Sequence, residues 1–219
     1  MDDPLPLLDA AELRVLGALV EKQITTPDYY PLSLNALTNA CNQLTNRDPV
    51  VSYEEQFVLR TLERLRDKRL ATIFAGAESR VAKYKHTLND RRLLTPAETA
   101  LLAVLMLRGP QTIGELRTRS ERLFAFDTLP ETEETLNALA ARQPQPLVAR
   151  LPRQPGTKES RYAQLLSGPP AAASVEPSGS PAPPPPSSSA APADDRLTRL
   201  EQELAELKRE FAEFRKQFE

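Results

Sequence analysis

The sequence predicts a mainly α-helical protein with small β-hairpins, an α+β chain built on a repeated unit. Three observations predict it. The stretch "LLTPAETALLAVLMLRGPQTIGELRTRS", Leu93 to Ser120, echoes the opening "LLDAAELRVLGALVEKQITT", Leu7 to Thr26. Leu, Ala and Arg dominate, aromatics are sparse and Trp is absent, a composition that favours helices. From Gly168 the composition breaks into a Pro-, Ala- and Ser-rich tract, and a heptad pattern follows it.

The first helix of each copy announces itself by a capping box, Asp9-Ala10-Ala11-Glu12 and Thr95-Pro96-Ala97-Glu98. The N-cap side chain takes a backbone N–H and the Glu reaches back. Pro96 stands at N1, where its missing N–H costs nothing. Apolar residues follow at helical spacing: Leu13, Leu16 and Val20, then Leu101, Val104 and Leu105. Helix two is expected over "SLNALTNACNQL", Ser33 to Leu44, and over "TIGELRTRSERL", where Thr112 and Glu115 form another box. Helix three is expected from Ser52 in "SYEEQFVLRTLERLRDKRL", with Val58, Leu62 and Leu65 as its stripe, and in "ETEETLNALAARQ", with Leu136 and Leu139.

Each copy then carries a short strand, Leu70–Phe74 or Pro146–Leu151, and a Gly-bearing turn. A return strand follows, "RVAKYKH" from Arg80 or "SRYAQL" from Ser160. Helix–helix–helix–hairpin is the winged-helix pattern: helices two and three make a helix-turn-helix and the hairpin is the wing. The expected domains are 7–92 and 93–167, both winged-helix, then a Pro-rich linker over 168–195 and a helix over 196–219. The linker holds too little apolar surface to offset the entropy of ordering.

In the last segment Leu197, Leu200, Leu204, Leu207, Phe211, Phe214 and Phe218 are spaced 3, 4, 3, 4, 3 and 4. That is an a/d stripe, with Asp194 or Asp195 as N-cap. In a parallel pairing Arg196 meets Glu201, Glu203 meets Lys208 and Glu210 meets Arg215, all attractive. An antiparallel pairing sets Lys208 against Lys208. The segment predicts a parallel coiled coil and hence a homo-oligomer; an amphipathic helix packed on its own domain is the plainer alternative.

The runs "YYPLSLNALTNACNQLTNRDPV" and "LPRQPGTKESRYAQLLSG" resemble the YceH-like family of bacterial proteins, over roughly residues 7–168. The resemblance implies a tandem winged-helix fold and a cytoplasmic bacterial protein. The C-terminal helical segment is also similar to that of family members. No catalytic residues are established in the family.

Lys and Arg number 28 against 30 Asp and Glu, a net charge of −2, so the chain is no polycation. One cysteine, Cys41, and one histidine, His86, exclude an internal disulfide and a Cys/His zinc site. No secretory leader and no apolar run of ~18 residues is evident, so a cytoplasmic location away from membranes is expected. No Gly-rich phosphate loop occurs. Cys41 reads as a buried small hydrophobe and His86 as a surface or groove residue on the wing strand. The sequence predicts neither an enzyme nor a cofactor.

DNA is the leading expectation for a partner. Arg60, Arg64 and Lys68 recur at i, i+4 and i+8 on helix three, and Arg80, Lys83 and Lys85 lie on the first wing. Arg153, Lys158 and Arg161 surround the second wing, and Asn46 and Arg47 stand near the start of helix three. An ordinary solvated face is the plain alternative for the helical row. Glu54 and Glu55 in copy one, and Glu131, Glu133 and Glu134 in copy two, repel phosphate where recognition helices usually meet bases. The competing expectation is therefore a protein-interaction adaptor that docks partners without binding DNA.

Overall fold

In the computed structural model, which describes residues 4–74, 81–153 and 159–169, both expected boxes form. Asp9 Oδ1 accepts from Glu12 N at 2.8 Å, Glu12 Oε2 accepts from Asp9 N at 2.8 Å, and α1 (Ala10–Thr25) begins. Thr95 and Glu98 do the same for α5 (Pro96–Arg108) at 3.2 and 2.9 Å. Each such cap is worth about 1 kcal/mol.

The first copy continues through β1 (Leu32–Ser33), α2 (Leu34–Cys41), α3 (Glu55–Asp67), β2 (Ala71–Phe74) and β3 (Lys83–His86). A short helix, α4 (Leu88–Arg92), leads into the second copy. There α5 is followed by α6 (Ile113–Ser120), α7 (Leu129–Ala140), β4 (Val148–Arg150) and β5 (Tyr162–Gln164). The helix–helix–helix–hairpin order thus occurs twice.

The sheets are antiparallel, with β3 between β1 and β2, and β4 paired to β5. The strand at β1 was not foreseen. It pairs Leu32 with Tyr84, and the second copy repeats this as a bridge between Gln111 and Tyr162. Both pairs sit one residue before an N-cap, Ser33 or Thr112, so the repeat extends to strand register.

Several boundaries differ from expectation, among them the end of α6 at Ser120 rather than Leu123, and three show their cause. Helix α3 starts at Glu55, not at Ser52, because Asn42 holds Tyr53 in both directions. Its Nδ2 donates to Tyr53 O and its Oδ1 accepts from Tyr53 N, both at 2.8 Å, which keeps that segment out of the helix. Helix α2 ends at Cys41 rather than Leu44. Two buried arginines take its last carbonyls: Arg47 Nη2 donates to Ala40 O at 2.7 Å and Arg14 Nη1 to Cys41 O at 3.1 Å. Such carbonyls lack partners within a helix and end it where a side chain satisfies them. Helix α7 starts at Leu129, two residues before the acidic run, with Thr128 as N-cap.

Both copies share one apolar core and lie in one compact unit. Helices α1 and α5 are its centre, buried on nearly every side. Gly17 lets them approach: a Cβ there would lie 3.0 Å from Leu107 Cγ and 3.1 Å from Met106 Cβ. Backbone bonds also cross between copies, from Leu8 N to Leu166 O at 2.8 Å and from Asp48 N to Leu107 O at 2.9 Å. No helix among the described residues is long and apolar enough to cross a membrane. Most of the linker, and the whole heptad segment from Leu197 to Phe218, lie outside the described residues.

Candidate nucleic-acid interface

The basic row on α3 divides. Arg60 is exposed and has no ion pair among the described residues. Arg64 and Lys68 turn toward the start of α1 instead. Lys68 Nζ lies 2.6 Å from Glu12 Oε2 and 2.8 Å from Leu7 O. Arg64 Nη2 lies 3.0 Å from Asp9 Oδ2, and its Nε 3.4 Å from Glu12 Oε1. Glu12 is 1 % exposed, so its charge needs these cations. The second copy repeats the device: Glu98 meets Arg142, just past α7, at 2.9 Å and 3.0 Å. Capping alone, the role the sequence predicts for both glutamates, does not account for these pairs. That two capping glutamates sit at the same place in each repeat, with cations at the end of each third helix, was the available signal.

The connection between α2 and α3 corrects a second expectation. Arg47 is buried, not offered to phosphate. Its Nη2 lies 2.6 Å from Glu21 Oε2, with the two side chains 0 and 5 % exposed. Further bonds run to Ala40 O, Asn46 O and Gln43 Oε1. Asn46, half-buried, has a positive φ of 60°, which Asn tolerates well, and its Oδ1 accepts from Arg108 on α5. Asn46, and Asp48 N on Leu107 O at 2.9 Å, tie this connection to the second copy.

The first hairpin keeps its basic side. Along β3 burial alternates: Tyr84 and His86 are buried, Lys83 and Lys85 half-exposed. Period-two geometry puts the two lysines on one face. Opposite them on β2 stand Phe74 and Thr72. Neither lysine has an ion pair among the described residues. Arg80 falls outside those residues.

His86 is not a surface or groove residue; it is 5 % exposed. Its Nε2 lies 2.6 Å from Gln23 Oε1, and Leu88 N donates to its Nδ1 at 3.3 Å. That pair of partners assigns the neutral ring with the proton on Nε2. Burial is the main cause that pushes its pKa down, to about 4, with nearby Asp90 opposing. Cys41 is fully buried, and burial pushes its thiol up to about 12.

On the second hairpin Arg150 and Arg153 are exposed. Arg161 is engaged, its Nη1 donating to Pro110 O at 2.9 Å and lying 3.2 Å from Glu115 Oε2. Lys158 lies outside the described residues. Glu54 and Glu55 are exposed at the start of α3, and Glu55 accepts from Asn35 Nδ2 at 2.9 Å. The first two turns of α7 carry Glu131, Glu133 and Glu134. Of the candidate cations among the described residues, Lys83 and Lys85 on the first hairpin, Arg60 on the helix before it and Arg153 by the second hairpin have no carboxylate partner there.

A family model described as "Protein of unknown function, DUF480" matches residues 8–157. The chain is 58 % identical over 204 residues to a UPF0502 protein of Opitutus terrae, covering 93 % of this chain and 84 % of the relative. It is 53 % identical over 196 residues to one of Geotalea daltonii, covering 90 % and 88 %. Over 212 residues it is 52 % identical to one of Solibacter usitatus, covering 97 % and 98 %. The chain belongs to the DUF480 (UPF0502) family.

Proposed function

We propose that this DUF480 chain is a cytoplasmic DNA-binding protein of tandem winged-helix architecture, a transcriptional regulator that touches DNA with its first repeat. The β2–β3 hairpin is the wing. Lys83 and Lys85 contact phosphates and Arg60 on α3 adds a third contact. One observation carries the reading: these cations have no carboxylate partner among the described residues, whereas Arg64, Lys68, Arg47 and Arg161 are bound to acids within the fold. The single buried thiol fits a reducing compartment.

Three phosphate contacts per module give weak binding, with a log–log salt slope of about −3. Two or more chains joined through the heptad helix would raise the apparent affinity without new contacts. The test is fluorescence anisotropy of the full chain with a labelled duplex across a salt series. Lys83→Ala with Lys85→Ala should weaken binding and flatten the slope by about two. A flat titration at low salt sinks the reading.

A second reading is a protein-docking module that binds no DNA. The glutamates at the start of α7 favour it, since they would face phosphate if the second repeat docked as the first does. That reading predicts no duplex binding at any salt concentration.

A further inference from the structure

The two repeats meet around a cleft at the end of α5. The first gives it Glu21 on α1 and Asn46 in the connection between α2 and α3. The second gives Val104, Leu107 and Arg108 on α5 and Leu123 just past α6. Its volume is about 220 Å³. A cavity of ~150 Å³ holds a benzene ring. This one therefore has room for such a ring with a small polar head. Val104, Leu107 and Leu123 supply its apolar lining.

Most of the charges that border the space are already answered. Glu21 Oε2 lies 2.6 Å from Arg47 Nη2, and Arg119 Nη2 lies 3.3 Å from Glu115 Oε1. Glu121 and Arg122 are exposed neighbours of opposite sign, screened by water. Arg108 differs. It is half-buried, and among the described residues it has no ion-pair partner; its Nη2 donates to Asn46 Oδ1, a neutral acceptor. Burial is the main cause that pushes its pKa down, followed by the charges of Arg119 and Arg47, with Asp48 and Glu21 opposing. An anion beside it would relieve that repulsion. Two helix ends meet here, and their carbonyls would repel an anion. They are taken: Asp48 N donates to Leu107 O at 2.9 Å, Gln111 Nε2 to Arg108 O at 3.1 Å and Leu123 N to Ser120 O at 2.7 Å.

We propose that this cleft binds a small apolar monocarboxylate, with Arg108 on the carboxylate and Val104, Leu107 and Leu123 around the apolar body. A guanidinium fork matches a carboxylate with paired N–H donors. Glu121 and Arg122 offset each other at the rim, so one positive charge is left over, and one carboxylate balances it. The lining comes from both repeats, so a bound acid bridges them. The site stands whether or not the chain binds DNA.

The experiment titrates the isotope-labelled full chain with benzoate and follows the amide shifts by NMR at fixed pH and ionic strength. Acetate carries the carboxylate without the ring, and benzyl alcohol the ring without the charge. Benzoate should shift the amides of Arg108, Gly109 and Leu123 together. Acetate and benzyl alcohol should each bind roughly tenfold more weakly or worse, for want of buried ring or of charge-assisted bonds. Arg108→Gln should weaken benzoate by roughly tenfold or more, and Arg108→Lys should restore part of that loss. Thermal melts verify the fold. Should Arg108→Gln fail to fold, Arg122→Glu decides, since it reverses an exposed charge at the rim and should also weaken benzoate. Arg66→Gln, exposed on α3, should bind as wild type does. Benzoate shifts that are absent or lie elsewhere overturn the site. So does acetate or benzyl alcohol binding as tightly as benzoate, or full benzoate affinity in a folded Arg108→Gln or in Arg122→Glu.

Discussion

Arg47→Ala should cost stability, not affinity. The arginine is fully buried and lies 2.6 Å from Glu21, itself 5 % exposed in its side chain. Five further bonds tie the guanidinium to Ala40 O, Asn46 O, Gln43 Oε1 and the second oxygen of Glu21. Among the described residues, removing it leaves Glu21 with Lys22 alone as an ion-pair partner, at 3.7 Å, and frees the Ala40 carbonyl at the end of α2. Breaking a buried pair from one side costs about 3–5 kcal/mol, because a charge is left buried without its partner. Against a domain stability of roughly 5–15 kcal/mol that is a large share. Urea denaturation reads it as a lower midpoint at unchanged slope. Replacing both partners, Arg47→Met with Glu21→Leu, should cost less than Arg47→Ala alone, since no charge is stranded. An Arg47→Ala chain within about 0.5 kcal/mol of wild type, but with weakened duplex binding, would refute the reasoning and return Arg47 to the interface.

Two more perturbations probe the same core. His86 has a folded-state pKa of about 4, below its ordinary value of 6.5. Stability from its neutral form is therefore complete above pH 6.5 and is lost as pH falls toward 4, by about 3 kcal/mol at most. Protonation would also set an Nδ1–H against the Leu88 N–H. His86→Asn should flatten that part of the stability–pH curve in denaturant titrations; an unchanged curve contradicts the buried neutral ring. Gly17→Ala gains about 1 kcal/mol of helix propensity but pushes a methyl to 3.0 Å from Leu107, which is 2 % exposed and cannot swing into water. Overpacking of about 1–3 kcal/mol wins or draws. Gly17→Val, with two further methyls, should lower the melting temperature more, and a rise would show that α1 and α5 are looser than described.

The repeat was legible because its signals are local. A capping glutamate three residues after Asp, Thr or Ser marks a helix start whatever packs on it, and three of the expected boxes form. The fourth, at Ser52, fails because Asn42, ten residues earlier, holds the neighbouring backbone; no local pattern shows that. The candidate interface was legible in part for the same reason. Alternation along β3 turns Lys83 and Lys85 outward as any strand would. Helical spacing put Arg60, Arg64 and Lys68 on one face, but it could not show that this face meets the start of α1, where Glu12 waits. Arg47 and His86 misled because polar side chains are exposed by default, and only tertiary partners such as Glu21 and Gln23 license their burial.

The most direct measurement compares two double variants, Lys83→Ala with Lys85→Ala and Arg64→Ala with Lys68→Ala, for duplex binding across a salt series and for thermal stability. The hairpin variant should lose affinity and flatten the salt slope while its melting temperature holds. The helix variant should keep the slope and melt lower, because it strands Glu12. Equal loss of affinity in both, or duplex binding untouched in the hairpin variant, would contradict the division of these cations between contact and fold.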